Sequence, residues 1–281
     1  MTENSLGIMQ GRLTPAAGRG IQFFPFDSWR DEFESAKEIG LDEIEFIFDY
    51  DNYTENPLWT ANGIEQIYDC VKRTGIAVRT VCFDYFMRRA FFKAKGEQEK
   101  QALLKENKEV LRTVLYSMQE LGVGLIEIPL VDASSVKNEE EEKEVISFLR
   151  DMFEGEAWPE IRCGLETDLP PLKFRELLEK IGIKNVGANY DSGNSSGLGY
   201  DPCEEIKQLS DYIFNIHIKD REYHGTTKKL GTGSADFHRL FKKLKETGYQ
   251  GSFIFQAARG ADGKEKQNIA EQMDFLQHYL K

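Results

Sequence analysis

His217 lies at the centre of Tyr212 to Arg221 (YIFNIHIKDR). Strict alternation there sets Phe214, Ile216 and Ile218 on one face of a strand and Asn215, His217 and Lys219 on the other. An imidazole on a polar strand face can ligate a metal, yet a lone histidine is ordinarily a hydrogen-bonded core residue. Two carboxylates change that balance. In Cys163 to Asp168 (CGLETD) Glu166 opposes Leu165, and in Val186 to Asp191 (VGANYD) Asn189 and Asp191 oppose Val186, Ala188 and Tyr190. The same division puts Glu45 and Asp49 on the polar face of Glu43 to Asp49, Glu127 on that of Leu125 to Leu130, and Gln256 on that of Gly251 to Ala257. Each polar group sits toward the C-terminal end of its segment. Two carboxylates and one imidazole suit a divalent ion of intermediate hardness, and Gln256 offers a fourth, neutral oxygen. Inward carboxylates are costly unless paired or bound to a cation, so the set Glu166, Asp191, His217 and Gln256 reads as a metal site.

Positioning such a set requires strands that end on one surface. From Leu6 onward the chain alternates strand-like and helix-like segments eight times, with no linker and no low-complexity stretch. A doubly wound open sheet would ordinarily carry a phosphate-binding glycine fingerprint after its first strand, and none is present there. The expectation is therefore a single α/β domain over 1–281, a closed (βα)8 TIM barrel whose strand C-termini form the site. Helices are expected from Asp27 or Ser28 to about Gly40, from about Gly96 to Leu121, from Pro170 and Pro171 to near Gly182, over Pro202 to Leu209, and after Asp236. Lys137 to Lys143 (KNEEEEK) reads as the solvated start of another, where carboxylates suit the helix dipole. The segments SGNSSGLG and Glu222 to Ser234 read as glycine-rich loops.

The 281 residues include 36 Lys plus Arg against 48 Asp plus Glu, a formal charge of -12. That balance disfavours phosphate backbones and anionic lipid, so nucleic acid and membrane surfaces are not expected partners. No apolar run approaches the roughly 18 residues of a membrane span. Cys70, Cys82, Cys163 and Cys203 form no CxxC pair, and the N-terminus lacks an apolar signal core. A cytoplasmic protein with reduced thiols is expected.

The strand-end motifs LETD (Leu165 to Asp168), YDSGN (Tyr190 to Asn194) and HIKD (His217 to Asp220), with LGTGSADF (Leu230 to Phe237), resemble the xylose isomerase-like TIM barrels. The resemblance is strongest to the L-ribulose-5-phosphate (L-xylulose-5-phosphate) 3-epimerase branch of sugar phosphate isomerases and epimerases. It implies a divalent ion (manganese, zinc, magnesium or cobalt) held by Glu, Asp, His and a second Glu, and two glutamates that exchange the proton beside a carbonyl through an enediolate. Glu166 matches one glutamate; the other position is Gln256, whose amide cannot accept the proton. The resemblance therefore implies a metal-dependent sugar or sugar-phosphate isomerase in which two-base epimerisation is compromised. The alternative is a barrel that binds sugar without turnover.

Expected substrate contacts are Glu45, Glu127, Asn194, Lys219 and Arg221, with Gly231, Gly233 and Ser234 as the barrel phosphate site before a helix. Arg12, Arg88, Arg89 and His224 are further candidates for an anionic substrate, and Phe24, Phe26, Tyr85 and Phe86 for its apolar wall. An abasic-site endonuclease on the same fold would need more histidines at strand ends, whereas His224, His238 and His278 lie off them. A homo-oligomer is compatible with all of this.

Overall fold

The computed structural model describes residues 4–155 and 158–280; the remaining positions of the 1–281 expectation lie outside the described residues. Eight parallel strands close into a barrel, and the alternation read from the sequence is what closes it. They are β1 (Leu6–Met9), β2 (Glu43–Ile47), β3 (Thr80–Cys82), β4 (Leu125–Leu130), β5 (Arg162–Thr167), β6 (Val186–Asp191), β7 (Ile213–Ile218) and, after a two-stranded hairpin of β8 (Asp220–Arg221) and β9 (Thr227–Lys228), β10 (Phe253–Phe255). The barrel order is β1-β10-β7-β6-β5-β4-β3-β2. Residues such as Ile44, Phe46, Ile126, Leu165, Ile216 and Phe255 are fully buried beneath the helical ring. Residues of opposite parity fill the interior, and Glu45, Glu127, Asn189, Asn215 and His217 are each at most 1% exposed.

The helices are α1 (Asp31–Glu38), α2 (Ala61–Thr74), α3 (Phe86–Arg89), α4 (Glu97–Leu121), α5 (Glu139–Phe153), α6 (Pro171–Ile181), α7 (Ser192–Leu198), α8 (Pro202–Leu209), α9 (Phe237–Thr247) and α10 (Glu265–Leu280). The acidic run is the first turn of α5, where Asn138 Oδ1 accepts from the amides of Glu140 and Glu141 at 3.0 Å. Helix α1 begins at Asp31, later than the cap expected at Asp27 or Ser28, because Pro25 to Arg30 closes as turns that carry Trp29 into the core.

Two segments depart from the loop expectation. SGNSSGL forms α7 because Asp191, the last residue of β6, caps it: its Oδ1 accepts from Gly193 N at 2.8 Å and Asn194 N at 2.7 Å. The Glu222 to Ser234 loop contains β9, paired antiparallel with β8 through Asp220 opposite Lys228 and Arg221 opposite Thr227.

Candidate active site

The register of the sheet brings the polar ends together. Asp191 pairs across the β6–β7 ladder with His217, and Ile254 of β10 pairs with His217 on the other side. His217 is fully buried. Its Nε2 donates to Glu45 Oε1 at 2.7 Å, and its Nδ1 lies 3.1 Å from Glu166 Oε2. Glu45 is fixed on its other oxygen by Asn215 Nδ2 at 2.9 Å. Burial alone would lower the imidazole pKa, but Glu45 and Glu166 together carry it well above its ordinary value, and Asn189 Nδ2 also lies 3.1 Å from Nδ1.

Glu166 is held on both oxygens. Asn194 Nδ2 donates to Oε1, and Asn189 Nδ2 donates to Oε2 at 3.1 Å. Asp191 spends Oδ1 on the α7 amides, while Oδ2 faces the site 3.4 Å from Lys219 Nζ. Lys219 Nζ also donates to Asn194 Oδ1 at 3.2 Å and to Gln256 Oε1 at 2.7 Å. Asn194 Oδ1 further accepts from Arg221 Nη1 at 3.0 Å, so one amide ties Glu166, Lys219 and Arg221 together.

The donor atoms left over decide whether a divalent cation fits. Ligand atoms of Glu166, Asp191 and His217 all lie within 4.8 Å of one another. With His217 Nε2 committed to Glu45, Nδ1 is the nitrogen that faces Glu166. A carboxylate on the far imidazole nitrogen is the usual support of a metal-ligating histidine. The three residues fit an intermediate divalent ion. Gln256 differs from the sequence expectation: its Oε1, assigned there as a fourth ligand, accepts the Lys219 ammonium instead. Glu45 likewise serves the histidine and Asn215 rather than standing free for substrate.

Glu166 and Asn194 line a cavity of about 880 Å³ at the C-terminal mouth of the barrel, walled by Phe24, Phe26, Glu127, Lys219, Arg221 and Gln256 among others. Glu127 is left unsatisfied, as are the side-chain oxygens of Asn189 and Asn215. Glu127 is 1% exposed and neither carboxylate oxygen has a hydrogen-bond partner. Burial, then the charge of Glu166, raises its pKa well above the carboxylate range. Together with Glu45 and the Cys82 thiol it forms a second close group of donor atoms.

Other expectations are corrected by what already occupies the donors. The amides of Gly231 and Gly233 do form an anion nest, but Asp220 fills it: Oδ2 accepts from both at 3.0 and 2.8 Å, and Oδ1 accepts from Ala235 N at 3.0 Å. A Cβ at Gly233 would lie 2.3 Å from Asp220 Oδ1, so this glycine is required by the close approach of that carboxylate. Ser234 Oγ is taken by Tyr223 N. Arg12 is buried away from the cavity wall, with Nε on Ala257 O and Nη1 on Ile21 O. Arg89 and the Tyr85 hydroxyl both donate to Glu106, and Phe86 packs on Phe83 and Phe148. His224 packs its ring against Tyr223, 3.9 Å between centroids, rather than lining the cavity. Arg88 does reach the mouth, 3.8 Å from Asp51, and Phe24 and Phe26 line it as expected.

Sequence reading missed Asn189 and Asn215 as supports of the ligands, although both lie on the polar faces it had drawn. It also missed Asp84, just beyond β3, and Gln22, in the β1–α1 segment, which has no periodicity to betray it. Asp84 is pushed up to about 7, first by burial and despite the bond from Gln22.

Residues 33–279 match the family model described as "Xylose isomerase-like TIM barrel". The chain belongs to that family. Among curated relatives it is 23% identical, over 82% of each chain, to L-ribulose-5-phosphate 3-epimerase UlaE from Shigella flexneri. Among solved structures it resembles the 3-keto-D-glucoside 4-epimerase YcjR from E. coli (18% identity, TM-score 0.72, 98% of this chain and 100% of that one). It also resembles the D-allulose 3-epimerase from Methylomonas sp. in complex with D-allulose (14% identity, TM-score 0.76, 99% and 97%). At these identities the structural likeness speaks to fold. No described helix is long and apolar enough to cross a membrane.

Proposed function

We propose that the chain is a divalent-metal-dependent isomerase or epimerase acting on a small ketose or ketose phosphate. The observation that carries this reading is the convergence of Glu166, Asp191 and His217 at one mouth, with Glu45 clamping the histidine. The epimerase names of its relatives point the same way.

Glu166, Asp191 and His217 would hold the metal, whose contribution when bound is to polarise the substrate carbonyl and stabilise charge on its oxygen. Glu166, oriented by Asn189 and Asn194, takes the proton from the carbon beside the carbonyl and returns it to that carbon or its neighbour. Glu127 hydrogen-bonds substrate hydroxyls, which gives its two unpaired oxygens the partners they lack. Lys219 holds a fixed positive charge beside the reacting oxygens. The aromatic wall excludes water from the intermediate. The Gln256 amide can neither take nor give the proton in this step, so the proposed chemistry uses one base. The amide nest being filled by Asp220, a substrate phosphate would be met by Arg19, Arg88 or Arg221 at the mouth.

The metal is tested by elemental analysis of purified wild type and His217→Ala. Stoichiometric divalent metal in wild type and its loss in a folded His217→Ala protein is the expected result. Equal metal content in the two would overturn the ligand assignment. A sugar-binding barrel without turnover would show ligand protection against unfolding but no exchange of a substrate proton with solvent.

A further inference from the structure

Gln256 belongs to a chain of hydrogen bonds that runs across the mouth. Lys219 Nζ donates to Gln256 Oε1 at 2.7 Å, Gln256 Nε2 donates to Gln22 Oε1 at 3.1 Å, and Gln22 Nε2 donates to Asp84 Oδ2 at 3.0 Å. Gln22 Nε2 also lies 3.8 Å from Cys82 Sγ. The chain starts at an ammonium, which only donates, and ends at a carboxylate, which only accepts when ionised. Two amides can be threaded between such ends in one sense alone, so the orientation of both side chains is fixed by chemistry.

The chain also spans the fold. Lys219 follows β7, Gln256 follows β10, Asp84 follows β3, and Gln22 lies in the 10–30 segment that passes from β1 over the cavity to α1. On its outer side that segment is pinned by Arg259 Nε to Ile21 O at 2.8 Å and Nη1 to Thr14 O at 3.0 Å, and by Asp262 to the amides of Ala16 and Ala17. Arg12 and Gln10 tie the start of the segment inward, and Gln22 adds a polar tie over the cavity itself, next to Phe23, Phe24 and Phe26 of its wall.

We propose that Gln22 is a positioning residue that latches the β1–α1 segment over the site through Gln256, and that position 256 is an amide because the latch requires a group that accepts on one side and donates on the other. A glutamate there accepts from Lys219 but has nothing to give to Gln22 Oε1. Gln22 would then have to turn its amide toward position 256, which sets Gln22 Oε1 against the Asp84 carboxylate, acceptor to acceptor. Gln256 is thus a connection gained as well as a base lost.

The fixed polarity of the chain gives a specific test. Hydrogen exchange in a peptide covering residues 20–28 is compared in wild type, Gln22→Ala, Gln256→Glu, Asp84→Asn and the Gln256→Glu/Asp84→Asn double variant, above pH 8 so that Asp84 is ionised. Gln22→Ala and Gln256→Glu should speed exchange about tenfold, the scale of one lost hydrogen bond. Asp84→Asn alone should be close to wild type, since the side-chain oxygen that remains at that position still accepts from Gln22. In the double variant the new amide at position 84 donates to a turned Gln22, whose own amide donates to the carboxylate introduced at position 256, and protection should return. Simple destabilisation at either position gives no such rescue. Exchange in Gln256→Glu equal to wild type, or a double variant as fast as Gln256→Glu, would overturn the latch. The readout needs no catalysis, so its outcome is independent of the proposed reaction.

Discussion

Asp220 shows how a single side chain redirects a motif. Glycines before a helix read correctly as an anion nest, and the HIKD segment contains the acid, but nothing in the sequence places one inside the other. The three amide donors around a fully buried carboxylate make Asp220 a structural anion that stands where a substrate phosphate was expected. Asp220→Asn turns one acceptor oxygen into a donor facing backbone N–H groups, and leaves at least one buried donor unpaired. The expected cost is about 2 to 3 kcal/mol of stability, read as a lower denaturation midpoint at unchanged slope. A cost below about 0.5 kcal/mol would mean that the nest is not held by this carboxylate. The candidate catalytic side chains were more legible. Period-two alternation put Glu166, Asp191 and His217 on the interior face, because barrel strands leave only two directions for a side chain. The same alternation could not say that Glu45 would be consumed by His217, since that contact joins strands 172 residues apart in sequence.

At the level of elements, strands and long amphipathic helices were readable because burial imposes a period on them. β4, β6 and α8 fall on the expected residues, and α4 starts and stops within a residue of expectation. Where the period is absent the reading failed. Helix α7 is built mostly from serine and glycine, poor helix formers, and exists because Asp191 caps it and β7 and β8 pack beside it. The capping oxygen and the proposed metal-facing oxygen belong to one carboxylate, so this short helix holds Asp191 in the orientation the site needs. The β1–α1 segment was visible only as an irregular loop, and its inward tie through Gln22 depends on contacts 62 and 234 residues away in sequence.

For the whole molecule, a barrel interior filled with ionisable groups has a consequence for stability. Burial pushes Glu32, Asp84 and Glu205 each up to about 7, from ordinary values of 4.5, 3.8 and 4.5. Between these limits the native state binds more protons than the unfolded chain, so stability falls as pH rises. His217 acts in the same direction in metal-free protein: its raised pKa contributes stability below the unfolded value of about 6.5 that is lost as pH climbs past it. Carboxylates held below their ordinary range, such as Glu106 and Asp201, act only in more acid solution. The thermal midpoint of metal-free protein should therefore be several degrees higher near pH 5.5 than near pH 8. A midpoint that is flat or rises across that interval would contradict the burial of these charges.

Centrally, Glu166 is proposed as a base serving one face of the sugar. The most direct measurement is deuterium incorporation beside the carbonyl of ketoses and ketose phosphates in deuterated water, followed by NMR with metal-loaded wild type and Glu166→Gln. Wild type should incorporate deuterium at one carbon position with little net epimerisation, and the rate should fall about 10² to 10⁴-fold in Glu166→Gln. Rapid epimerisation by wild type that survives in Glu166→Gln would contradict this role, as would the absence of any exchange across the panel.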